Sequence, residues 1–181
     1  MYRSRHHCSS SRSLGLAVAL LLALTWLPAA ARATDAPRPV KIAVFDFELE
    51  DVSAAASVPH DGAADGERMQ QVTSEARRAL AQSGRFSLVD VSQMDAAPLR
   101  DRVLRNCNGC ENGIALQLGA DQAMVGLIRR VTLTEYYVLI QISDARTGKI
   151  LDRQTAAFSG GDDAWASGVR MVIRHGILAQ N

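Results

Sequence analysis

The sequence predicts a mixed α/β domain, with elements in the order β-α-β-α-α-β-β-β-α: one mixed sheet of about five strands with helices packed on it. Three observations carry this expectation. Val40 to Phe47 alternates with apolar residues on both faces, as a central strand does. Glu135 to Phe158 contains two strand-like runs joined at a Thr-Gly turn, the mark of a hairpin. Helical spacing appears between and after these strands, most clearly at Met69, Val72, Ala76, Ala79 and Leu80.

Ahead of the domain, residues 1–33 have the three parts of a cleaved secretory signal. Arg3, Arg5 and Arg12 make a basic start, an apolar run follows from Leu14 to Leu27, and Ala31-Arg32-Ala33 supplies small side chains for a peptidase. The apolar run has 14 residues, short of the roughly 17 to 25 that span a bilayer, so no stable membrane anchor is expected after cleavage. Export to the periplasm as a soluble protein is the expectation. Cys8 precedes the apolar run and leaves with the signal. Loss of Arg3, Arg5, Arg12 and Arg32 turns 20 basic residues into 16 against 19 acidic ones, net −3. A mildly acidic chain without a clustered basic face offers nothing to neutralise phosphates, so nucleic acid is not an expected partner.

Thr34 to Pro39 reads as a flexible leader and residues 40–181 as a single domain. In the first strand Val40, Ile42 and Val44 share a face with Asp46 next in phase, while Ala43, Phe45 and Phe47 share the other. Glu48 to Asp65 shows neither period and reads as an acidic mobile loop. Asp65 is suited to cap the first helix and Gly84 to end it. Arg85 to Val91 is the second strand, followed by a looser helical stretch around Pro98 to Arg105. A short helix spans Glu111 to Leu118, and a strand runs from Asp121 towards Val131. In the hairpin, Tyr136, Val138, Ile140 and Ile142 share one face, and Gly148 supplies the turn's positive φ before the strand Ile150 to Phe158. Asp162 or Asp163 then caps a closing helix bearing Trp165, Val169, Val172, Ile173 and Gly176.

The strand V-K-I-A-V-F-D-F, the stretch Leu118-Gly119-Ala120-Asp121 leading into Met124-Val125-Gly126, and the turn from Asp144 to Gly148 carry a resemblance. Over nearly all of the mature domain, including C-N-G-C-E-N and T-E-Y-Y-V, the chain resembles predicted secreted proteins of Gram-negative bacteria classed as domains of unknown function. More distantly it is similar to the envelope superfamily of the TolB amino-terminal domain and CsgG. That resemblance implies a binding or assembly domain with an envelope protein partner, not an enzyme, and it carries over no catalytic residues. Oligomeric state is not implied.

Cys107 and Cys110 remain after processing, and an oxidising compartment makes a disulfide the leading reading, as a clasp at the entrance to the Glu111 helix. A redox-active pair is the runner-up, because a thiol at a helix amino terminus ionises more readily. Against it, no proline follows Pro98 to face the cysteines, as a thioredoxin-like site requires. Zinc needs two further ligands, and His60 and His175 each stand alone. Haem attachment fails because Glu111, not histidine, follows Cys110. No metal or cofactor is therefore expected.

Glu48, Glu50, Asp51, His60, Asp61 and Asp65 form a candidate binding loop, with cation binding as a third function. It lacks the spaced D-x-D-x-D-G ligands of a calcium loop, so a solvated loop is the leading reading. No G-x-S-x-G or phosphate-cradling glycine motif occurs, which leaves no catalytic residue to name. Tyr136, Tyr137 and Trp165 read as core rather than as a binding platform, and Arg129 and Arg130 as the solvated end of a strand.

Overall fold

Strand β1 (Val40–Val44) lies between two parallel neighbours, β3 (Phe86–Val89) and β4 (Gln122–Arg130), in a computed structural model that describes residues 38–58, 62–92, 104, 107–161 and 164–180. Strand β5 (Glu135–Asp144) is antiparallel to β4, and β6 (Ile150–Ser159) is antiparallel to β5. The order is β3-β1-β4-β5-β6, and a short sixth strand, β2 (Glu48–Asp51), continues the line of β1 along β4. This is the expected mixed sheet, with one strand more than the alternation revealed.

Helix α1 (Gly62–Gln82) and helix α3 (Ala164–Val172) cover one face, and a π-helical turn, Ile173–Ile177, prolongs α3. Val72, Ala76 and Leu80 of α1 recur every four residues and meet Ile42, Val44, Met124, Val138 and Ile140 from the sheet. Trp165 is fully buried there, in edge contact with Tyr136, whose ring stacks on Phe158. Helix α2 (Cys110–Gln117) lies on the opposite face, over a smaller cluster of Ala43, Phe45, Leu104, Ala115, Ala120 and Ala123. Side chains this small bring α2 close to the sheet.

Between β1 and β2 the pairing slips by one residue. Val44 pairs with Met124 but Glu48 pairs with Leu127, so Phe45, Asp46 and Phe47 stand opposite only Val125 and Gly126. The extra residue reverses the pleat. Phe47 therefore joins Ile42 and Val44 in the larger core instead of sharing a face with Phe45, and Asp46 points to solvent. The aromatic ring of Phe47 occupies the space that a Cβ on Gly126 would need.

Other differences from the sequence reading have physical causes. Glu48 to Asp65 is not a continuous loop: it contains β2, a 3-10 turn at Ala54–Ser57 and the first turn of α1. The order of β2 comes from its ladder with β4 and from acid–arginine pairs across it, neither of which has a local period. Asp65 is not a cap but a buried residue inside α1, drawn inward by Arg130. Gly84 ends this helix region with φ 69°, as expected. Residues 1–37, most of the Pro98 to Arg105 stretch, and Asp162 and Asp163 lie outside the described residues.

Candidate functional site

The two cysteines are joined by a disulfide, with Cα atoms 5.5 Å apart. Between them Asn108 and Gly109 adopt positive φ (54° and 98°), which turns the chain back on itself before α2 begins. Three buried polar side chains then tie α2 to the sheet. Ser143 Oγ of β5 donates to Asn112 Oδ1 at 2.5 Å, and the Asn112 amide lies 3.4 Å from Glu111 Oε1. Glu111 Oε2 faces the Cys107 sulfur at 3.7 Å.

The acids of the candidate binding loop are divided between two faces. On the α2 side, Glu48 accepts the Leu104 N–H at 2.5 Å and Glu50 accepts Arg129 Nε at 2.5 Å. On the α1 side, Asp51 and Asp65 converge on Arg130, at 2.8 and 2.6 Å. His60 and Asp61 lie outside the described residues. Glu50, Asp51 and Asp65 each meet one of the protein's own arginines.

Arg130 corrects the expectation of a solvated strand end: it is 8% exposed, and its guanidinium sits 5.2 Å above the Trp165 ring. Arg68, paired with Asp65 at 2.7 Å, approaches the same ring at 5.8 Å. Burial pushes the Asp51 carboxyl up, but hydrogen bonds from Ser53 and Arg130 outweigh it and hold the group below its ordinary value. Asp65 behaves likewise, with burial overcome by Arg130 and Arg68. The Asp65 hydrogen bond raises the Arg130 pKa in turn, against burial and with help from Asp51. The phase of Arg130 in β4, two residues on from buried Ile128, is the sequence signal that marks it as inward-facing. Tyr136 and Trp165 are core as expected, whereas Tyr137 is 47% exposed on the α2 side of the sheet.

Helix α2 covers only part of that side. Beyond it the sheet forms the floor of a cleft of about 360 Å³, where Val125, Leu127 and Leu139 are half-buried. Glu48 and Glu111 stand along it on one side and Gln141 and Arg153 on another, with Arg153 Nε donating to Gln141 Oε1 at 3.1 Å. An apolar floor with charges of both signs suits the binding of a polypeptide segment more than it suits proton transfer or nucleophilic attack. Among the described residues, no helix is long and apolar enough to cross a membrane.

Comparison with known proteins agrees with the resemblance read from the residues. The family described as "Protein of unknown function (DUF2380)" matches residues 40–177. No curated protein matches the chain. Among solved structures the chain is similar to the lipoprotein GNA1162 from Neisseria meningitidis, with TM-score 0.50 and 14% identity over 78% of this chain and 96% of that one. It is also similar to the LpoB C-terminal domain from Salmonella enterica (TM-score 0.48, 20% identity, 71% of this chain and 88% of that one). TolB from Acinetobacter baumannii matches 74% of this chain with 26% of its own, at TM-score 0.44 and 16% identity. The similarity to GNA1162 is one of fold.

Proposed function

The chain belongs to the family described as "Protein of unknown function (DUF2380)", and on that premise we propose that it is an exported, non-enzymatic domain of the Gram-negative envelope that binds a protein partner. The observation that carries this reading is the half-covered sheet face. Leu127 and Leu139 extend an apolar floor from Val125, which packs against the smaller core cluster under α2, and Tyr137 is exposed on the same side. Contiguous apolar surface left open on a small domain marks a place for a partner. In this reading residues 1–33 are removed on export, 34–39 form a leader, 40–181 act as one domain in the periplasm, and the disulfide fixes the cleft's edge. The acids of β2 serve structure rather than cation binding.

Site-specific photocrosslinking in living cells tests the proposal. A crosslinker replacing Leu139 is expected to give a discrete adduct with one envelope protein, and the same crosslinker at Met171 on α3 is expected to give none. Identical adduct patterns at the two positions would count against the cleft. Mass spectrometry of the exported chain is expected to find Thr34 as its first residue.

A further inference from the structure

Three donor atoms meet at the start of α2. The Cys107 and Cys110 sulfurs and a Glu111 carboxylate oxygen all lie within 4.8 Å of one another. Glu111 is only 6% exposed, and its Oε2 faces a sulfur that, being in a disulfide, has no hydrogen to donate. The Asn112 amide reaches its other oxygen at 3.4 Å, longer than an ordinary hydrogen bond. A carboxylate removed from water calls for a cation or close donors. We propose that reduction of the disulfide turns Cys107, Cys110 and Glu111 into a binding site for a thiophilic divalent cation of the zinc class.

Ligand chemistry and loop geometry both support this. Two thiolates at C-x-x-C spacing with one carboxylate make a mixed sulfur and oxygen donor set of the kind zinc accepts, and they fill three of its four tetrahedral positions, leaving solvent the fourth. Counting histidines in the sequence finds no third ligand; the fold supplies one from the residue next to Cys110. The loop is also shaped by more than its S–S bond. Asn108 and Gly109 hold the reversal through positive φ, the Cys107 N–H bonds to the Leu104 carbonyl at 3.2 Å, and the Asn112 N–H bonds to the Gly109 carbonyl at 3.2 Å. Cys107 and Cys110 both pack against the smaller core cluster, so the sulfurs stay together when the bond is cut.

The chemistry balances with an external thiol as reductant. Two thiols deliver two electrons and two protons to the Cys107–Cys110 bond and become a disulfide themselves. The cation then displaces both cysteine protons and binds two thiolates and the Glu111 carboxylate. Disulfide and metal thus compete for the same sulfurs.

Cobalt(II) added to the reduced chain from Thr34 onward, the exported form proposed above, which lacks Cys8 and its neighbours His6 and His7, is the probe. One cobalt per chain is expected, with a sulfur-to-cobalt charge-transfer absorption that zinc abolishes and that the oxidised chain does not give. Glu111→Gln retains the disulfide and both thiols, and is expected to weaken cobalt binding about tenfold or more. Zinc is also expected to slow reoxidation of the reduced chain by oxidised glutathione. Absence of the absorption in the reduced chain, Glu111→Gln binding as tightly as the native chain, or loss of the circular-dichroism signal of the fold on reduction would each overturn the proposal.

Discussion

Arg130 shows how one side chain organises a corner of the domain. It joins Asp51 of β2 to Asp65 of α1 while its guanidinium covers Trp165, so strand, helix and core share a single cation. Removing one partner of a buried pair leaves an uncompensated charge, and Arg130→Met is expected to cost about 3 to 5 kcal/mol in urea unfolding. Arg129→Met, which breaks only the exposed pair with Glu50, is expected to cost about 1 kcal/mol or less. Acid acts on the same corner. Asp51 and Asp65 are held below their unfolded values, near 4, so their stabilisation is complete above that pH and disappears as pH falls through the folded values. Unfolding midpoints followed from pH 6 to pH 2 are expected to fall more steeply for the native chain than for Asp65→Asn. The alternation of β4 holds the inward phase of Arg130, but the sequence reading set it at a solvated end because its two acid partners were not visible. They are 79 and 65 residues away, a distance that no local pattern spans.

Elements whose own periodicity defines a face were legible, and elements defined by a neighbour were not. Helix α1 and the β5–β6 hairpin follow their apolar spacing, and Tyr136, Val138, Ile140 and Ile142 are all buried as that spacing requires. Strand β2 carries Glu48, Glu50 and Asp51 around one leucine, and reads as a loop until β4 is placed beside it. The junction before it rests on close packing of Phe47 over Gly126. Gly126→Ala is expected to destabilise by about 1 to 3 kcal/mol through overpacking, measured by thermal or urea unfolding. Trimming the ring in the double variant Phe47→Leu with Gly126→Ala is expected to recover part of that loss. Recovery of nothing would mean that the ring is not what the new methyl meets.

At the scale of the whole molecule, β4 is the member that everything else is measured against. It pairs with β1 and β2 along one side and with β5 along the other, whereas β6 has β5 alone. Hydrogen exchange is therefore expected to be slowest at Met124 to Ile128 and in the middle of β5, and markedly faster at alternate amides of β6. Uniform protection across β4, β5 and β6 would contradict this ranking. The asymmetry between the faces was only half legible. The sequence announces the helices that build the larger core, but how far α2 reaches across the other face depends on the small size of Ala43, Ala115, Ala120 and Ala123 together. The slip between β1 and β2 makes the three residues 45–47 fill a stretch of pleat that two would fill. Deleting Asp46, the residue that points to solvent, would bring β2 into step with β1 and leave Phe47 and Leu49 facing the larger core and Glu48 opposite Leu127. Related chains can therefore drop one letter from this stretch and still turn the same faces to the core.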